Sequence, residues 1–188
     1  MSKINKTKYA ILGVLSITPG SGYDIKKFCD QSISHFWNEN FGHIYPVLKQ
    51  IEAEELITKE VEYTEGKPPR NVFYITEKGK KELAEWLQQP AEQNPVRIEP
   101  LLKLFFAKEL SYEKISEMLD KEKSNCILQI EKYSAIEKML MKEDGIQDEK
   151  SRILWLSTVR YGLSDARARL EWCEQTLGDF EKLRNSEV

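Results

Sequence analysis

Histidine and cysteine are scarce in this sequence, at two and three residues in 188, and their placement excludes most metal and thiol chemistry. Cys29, Cys126 and Cys173 lie far apart and form no Cys-x-x-Cys pair. Neither a disulfide framework nor a structural zinc site is expected, and the three read as free thiols. His35 and His43 have no HExxH, Walker or Gly-x-Ser-x-Gly signature beside them. No metal, cofactor or catalytic residue is therefore expected, and the chain does not read as an enzyme. Long apolar runs are missing too: none approaches the roughly 18 residues of a membrane span. The start, Met1 to Lys6, is polar and lacks the apolar region of a secretory leader. A cytoplasmic location with no membrane partner is the expectation.

Positive charge is not in excess. The net charge is -3, and residues 1–90 carry 12 basic against 12 acidic side chains. This excludes a protein that coats nucleic acid through bulk charge and leaves only local clusters, Lys3 with Lys6 and Lys8, and Lys67 with Arg70. What is present is a hydrophobic fraction of 40%, ordinary for a chain that buries a core.

Tyr9 to Ile17 is apolar on more than one side of a helical wheel, as in a helix central to a small core. Thr18-Pro19-Gly20 ends it. Ser21 and Asp24 have the spacing of a capping box, which starts a second helix with Ile25 and Phe28 turned inward. An aromatic connector follows, in which Phe36, Trp37 and Phe41 are expected to plug the core. In the next segment Ile44, Val47, Leu48 and Ile51 fall at i, i+3, i+4 and i+7. That spacing buries one face of a third helix and turns His43, Tyr45, Lys49 and Gln50 outward. Pro46 fits only if the helix starts near Gly42 or His43, because a proline beyond the first turn costs about 3 kcal/mol.

After Ile57 the period falls to two, and Asn71 to Ile75 is rich in β-branched and aromatic residues. A two-stranded hairpin around Thr64 to Arg70 is the reading, with Pro68-Pro69 stiffening its tip. Thr76 is placed to cap a fourth helix whose inner side carries Leu83, Trp86 and Leu87. Prolines at 90, 95 and 100 then break the pattern. Residues 1–88 are read as one domain, 89–98 as a linker and 99–188 as a second, helical domain.

In that second half Leu101, Leu102, Leu104, Phe105 and Phe106 form a block too apolar to face water. One long helix is expected from about Ser111 to Lys142, closed by Gly145, and another from about Asp148 to Leu183. The latter carries Leu156, Leu163, Leu170 and Leu177 at one heptad position, and Val159, Ala166, Cys173 and Phe180 at another. No basic region precedes this repeat, so it reads as a packing or dimerisation stripe and not as a DNA-forking zipper. Leu156, Val159, Leu163, Leu170, Leu177 and Phe180 are the expected dimer contacts. Trp155, Arg160, Tyr161 and Trp172 are candidates for an aromatic-acid pocket, though core and surface roles compete for them.

The fold class is therefore mainly α with a small β-hairpin: an N-terminal winged helix-turn-helix followed by a helical, antiparallel long-helix dimerisation domain. DNA contact is expected from His43, Tyr45, Lys49 and Gln50 on the third helix. Lys67 and Arg70 on the wing, Lys8 on the first helix and Tyr23 on the second complete the set. A winged helix that binds only protein is the alternative.

Ser21-Gly22-Tyr23-Asp24-Ile25, Phe36-Trp37, Ile44-Tyr45-Pro46-Val47-Leu48-Lys49, Gly66-Lys67-Pro68-Pro69-Arg70 and Tyr74-Ile75-Thr76-Glu77-Lys78-Gly79 together resemble the PadR family of bacterial transcriptional regulators. The resemblance covers about residues 7–87, with the second half similar by pattern to the dimerisation domain of the longer members. It implies a homodimer on a two-fold operator, the third helix in the major groove and the wing along the backbone or minor groove, usually as a repressor. Some members release DNA on binding phenolic acids or drug-like aromatics, while others have no known ligand.

Overall fold

The structure, a computed structural model, describes residues 5–34, 36–63, 66, 68–92, 95–142 and 148–186, with the Phe41 side chain excepted. His35, Lys67, Gly145 and Lys3 lie outside the described residues. Two compact units divide the chain, Met1–Gln93 and Asn94–Val188.

The first unit runs α1 (Lys6–Ile17), α2 (Gly22–Ser32), α3 (Phe41–Ala53), β1 (Ile57–Glu62), β2 (Arg70–Ile75) and α4 (Glu77–Leu87). Ile11, Leu12, Val14 and Leu15 of α1 are buried and meet Ile25 and Cys29 of α2 and Ile44, Val47, Leu48 and Ile51 of α3 in one core. The capping box holds: Ser21 N donates to Asp24 Oδ2 at 2.8 Å, and Asp24 N to Ser21 Oγ at 3.2 Å. Helix α3 starts earlier than expected, because Asn40 Oδ1 accepts from His43 N at 3.1 Å and caps it. Pro46 consequently lies past the first turn. The bond it removes is to the carbonyl of Gly42, an exposed residue whose carbonyl water can satisfy.

The aromatic connector is a second correction. Phe36 is exposed, and the interior position belongs to Glu39, 3% exposed, which accepts from Trp37 Nε1 at 2.6 Å and Thr7 Oγ1 at 3.1 Å. Burial of a carboxylate is tolerable only with such donors.

β1 and β2 pair antiparallel, Ile57 opposite Ile75 through Glu62 opposite Arg70. Gly20, after α1, exchanges both backbone bonds with Phe73 at 3.2 and 2.9 Å, so the hairpin is tied to the start of α2. Thr76 Oγ1 accepts from Gly79 N at 3.0 Å, as a cap should. Tyr9 stacks on Trp86 with ring centroids 4.4 Å apart, whereas Leu87, expected inward, is exposed.

The second unit runs α5 (Glu99–Phe105), a 3-10 turn (Ala107–Glu109), α6 (Tyr112–Lys142) and α7 (Glu149–Ser186). Ion pairs Glu122–Arg169 at 3.1 Å and Glu137–Arg160 at 2.8 Å show that α6 and α7 run antiparallel. Their seam buries Tyr133 and Leu140 of α6 with Leu156, Val159, Leu163 and Ala166 of α7. Toward the other end Ala107, Ile115 and Leu119 are joined by Leu104, Trp172, Leu177 and Phe180. The heptad stripe is thus consumed inside the chain, with Leu170 half-buried between the two clusters. The expected dimer contacts Leu156, Val159 and Leu163 are covered by α6, which has the matching apolar face. The block at α5 instead stays open: Phe105 is 82% and Phe106 72% exposed. Among the described residues no helix is long and apolar enough to cross a membrane.

Candidate nucleic-acid interface

Helix α3 is amphipathic in the way a groove-reading helix requires. Ile44, Val47, Leu48 and Ile51 are buried, and His43, Tyr45, Lys49 and Gln50 are exposed. These outer residues are not equally available. Gln50 Nε2 donates to Glu54 Oε1 at 2.7 Å, which engages half its amide. Lys49 has no ion pair among the described residues. The Tyr45 ring lies against the first turn of α2, where Gly22 is buried and Tyr23 is exposed.

The wing cation is held by carboxylates. Arg70 Nε donates to Glu62 Oε2 at 2.6 Å and its Nη1 to Asp24 Oδ2 at 3.3 Å, with both ion pairs substantially open to solvent. Burial alone would push the Asp24 carboxyl up. Hydrogen bonds from the Ser21 hydroxyl and amide, together with the Arg70 charge, bring it below the usual carboxylate range. Arg70 is correspondingly stabilised in its charged form by Glu62. Lys67, the other expected wing contact, falls outside the described residues.

Lys8 is a correction. Its ammonium sits 3.0 Å from Glu54 and 2.8 Å from Glu82, with the side chain only 15% exposed. Burial works against its charge, but the two carboxylates outweigh that and raise its pKa. It ties α1 to α3 and α4, and its charge is met by carboxylates of the same unit.

Lys27 was not among the expected contacts. Lys27 is exposed and has no ion pair among the described residues, one turn after Tyr23 on α2. The i, i+4 spacing from an outward Tyr23 was the available signal. Substituting Lys27 with alanine is expected to lower affinity for duplexes of any sequence and to make the salt slope shallower by about one for each phosphate no longer neutralised. Lys8→Ala is expected to leave the slope unchanged while reducing stability by roughly 2 kcal/mol. Anisotropy titrations at several salt concentrations and urea denaturation separate the two outcomes.

The four residues expected to line an effector pocket do not converge. Trp155 and Trp172 are on one helix, separated by about 25 Å at 1.5 Å per residue. Tyr161 is exposed, Arg160 is paired with Glu137, and Trp172 packs into the core near α5. The helical unit does hold a cleft of ≈ 510 Å³, lined by Leu104, Phe105, Tyr112, Ile115, Phe180 and Leu183, next to the open α5 block.

Residues 11–85 match the Transcriptional regulator PadR-like family, and residues 96–181 match the family described as Virulence activator alpha C-term. The chain is 35% identical over 113 residues to the negative transcriptional regulator PadR of Bacillus subtilis (strain 168), a stretch covering 59% of this chain and 62% of that protein. The match thus spans less than two thirds of that curated relative's length. The crystal structure of Bacillus subtilis PadR in complex with operator DNA is similar with a TM-score of 0.85 and 25% identity, covering 94% of this chain and 99% of that one. The same Bacillus subtilis protein in complex with p-coumaric acid is similar with a TM-score of 0.75 and 25% identity, covering 93% and 98%.

Proposed function

The chain belongs to the PadR-like family of transcriptional regulators, and from that premise we propose that it is a homodimeric repressor that reads a two-fold operator in double-stranded DNA and leaves it when a small aromatic acid binds. Residues 1–88 form the DNA-binding domain, 89–98 the linker and 99–188 the dimerisation domain. No catalytic step is part of the proposal. The observation that carries it is α3, with its apolar inner face buried and with His43, Tyr45, Lys49 and Gln50 exposed on its outer face. Such a helix presents donors and acceptors to base edges in the major groove. Tyr23 and Lys27 of α2, with Lys67 and Arg70 of the wing, supply contacts to the backbone.

The paired state of Arg70 sets a condition on the wing. Phosphate meets a guanidinium whose Nε and Nη1 are already paired with Glu62 and Asp24, so the nearby negative charge offsets part of the contact energy. Glu62→Gln is expected to raise affinity for all duplexes by roughly two- to fivefold at low salt, with the gain fading as salt screens the exposed charges. The same anisotropy titrations check it.

Dimerisation is proposed to use the open apolar block of α5 and the following turn, because the α7 heptad is occupied within the chain. The aromatic effector is proposed from the relative bound to p-coumaric acid. The test is a titration of the full chain onto DNA upstream of its own and neighbouring genes, followed by p-coumaric acid. Salt-sensitive binding reversed by the acid is expected. Binding that ignores the acid removes this effector and leaves a regulator without that ligand, while no binding to any fragment favours a protein-interaction module.

A further inference from the structure

Gly22 is the first residue of α2, where alanine, given space, would stabilise the fold by about 0.4–1 kcal/mol by restricting the unfolded chain. Its backbone does not call for glycine, since Gly66 is the positive-φ glycine among the described residues. The reason for glycine is space. A Cβ built on Gly22 would stand 2.9 Å from Tyr45 Cε1, 3.0 Å from Cζ and 3.2 Å from the hydroxyl oxygen. The missing side chain leaves a seat on α2 that the outer end of the Tyr45 ring occupies.

The turn carrying that seat is held from both sides. Before it, Gly20 exchanges backbone hydrogen bonds with Phe73 of β2. Within it, Ser21 and Asp24 bond reciprocally, and Asp24 Oδ2 also accepts from Arg70 at 3.3 Å. A ring resting on such a turn loses rotamer freedom before any DNA arrives, which lowers the ordering cost of a contact made by its exposed side.

Resting on the DNA-reading role proposed above, we propose that Gly22 is a specificity-determining positioning residue: by omitting a side chain it fixes Tyr45 of α3 in the orientation that reads the operator. Gly22 itself touches no base. Its effect passes through the tyrosine, and so it changes discrimination between sequences more than affinity for DNA in general.

The experiment compares wild type, Gly22→Ala, Tyr45→Ala and the double variant by anisotropy, using a duplex selected by the wild-type protein from a randomised pool and a scrambled duplex of the same composition. Thermal melting is recorded for each. Gly22→Ala is expected to melt at or above the wild-type temperature and to bind the scrambled duplex unchanged. Its preference for the selected duplex should fall about tenfold, within the range that one directional base contact supplies. In the Tyr45→Ala background the Gly22 change is expected to add nothing, because the two act as one unit. The proposal is overturned if Gly22→Ala keeps the full preference, if it loses stability and both affinities together, or if its effect persists without Tyr45. Gly22→Ser serves as a second variant, expected to shift preference in the same direction, and failure of both variants to fold also overturns the proposal. Failure of the wild type to select any duplex contradicts DNA reading itself and is a separate outcome.

Discussion

Replacing Phe105 and Phe106 together by aspartate is expected to convert the protein to a folded monomer and to weaken operator binding by about 10²- to 10⁴-fold. The magnitude is that of giving up a second, linked half-site. Both rings are among the most exposed apolar side chains of the helical unit, with Leu102 and Leu110 open beside them. A patch of this kind marks an interaction surface. Neither ring belongs to the clusters that hold α6 on α7, so the fold of the unit should survive the change. Leu163→Asp provides the contrast: Leu163 is buried at the α6–α7 seam, and an unpaired buried charge there should unfold the unit rather than separate two intact chains. Sedimentation equilibrium with melting curves distinguishes the two results. A Phe105 and Phe106 double variant that remains dimeric would place the interface elsewhere.

Gly79→Ala is expected to destabilise the winged-helix unit by roughly 3 kcal/mol or more, at the upper end of overpacking effects. A Cβ at this position would lie 2.1 Å from the Leu56 carbonyl oxygen and 2.9 Å from Ile75 Cγ1. The carbonyl has little freedom to retreat. It accepts from Thr76 N at 3.0 Å and lies 3.1 Å from the Thr76 hydroxyl, whose proton it shares with the Glu55 carbonyl at 2.8 Å. The same hydroxyl caps α4 through Gly79 N. Relief of the clash must therefore break the cap or pull α4 away from the strand β1. Gly22 differs, because there the nearest atoms belong to a ring that can move, whereas here they are backbone. Urea denaturation measures the loss, and a change below about 1 kcal/mol would show that α4 shifts more easily than these contacts allow.

Much of this arrangement was legible in the sequence because its causes are local. The Ser21–Asp24 box, the Thr76 cap, the inner stripe of α3 and the extents of α6 and α7 follow from residues within a turn or two of each other. What was not legible depends on partners brought together by folding. A lysine at position 8 reads as a cation for phosphate until Glu54 and Glu82 close on it from α3 and α4. Arg70 likewise meets Asp24 only when the hairpin pairs beside α2. The heptad on α7 announced a partner but not whether it was α6 or a second chain, since periodicity is the same for both. Two readings failed on information the sequence did contain. Asn40 had the chemistry of a helix cap and moved the start of α3 ahead of Gly42. The spacing of Trp155 and Trp172 on a single helix already placed them too far apart to share a pocket.

The central claim is that two copies of α3, each with its wing, read one two-fold DNA site. Selection of duplexes from a randomised pool by the 188-residue chain, with footprinting and stoichiometry of the selected complex, tests it most directly. The account predicts an enriched inverted repeat with two protected half-sites about 34–36 Å apart and two chains per duplex. Recovery of no preferred sequence, or of a single asymmetric site held by one chain, would contradict it.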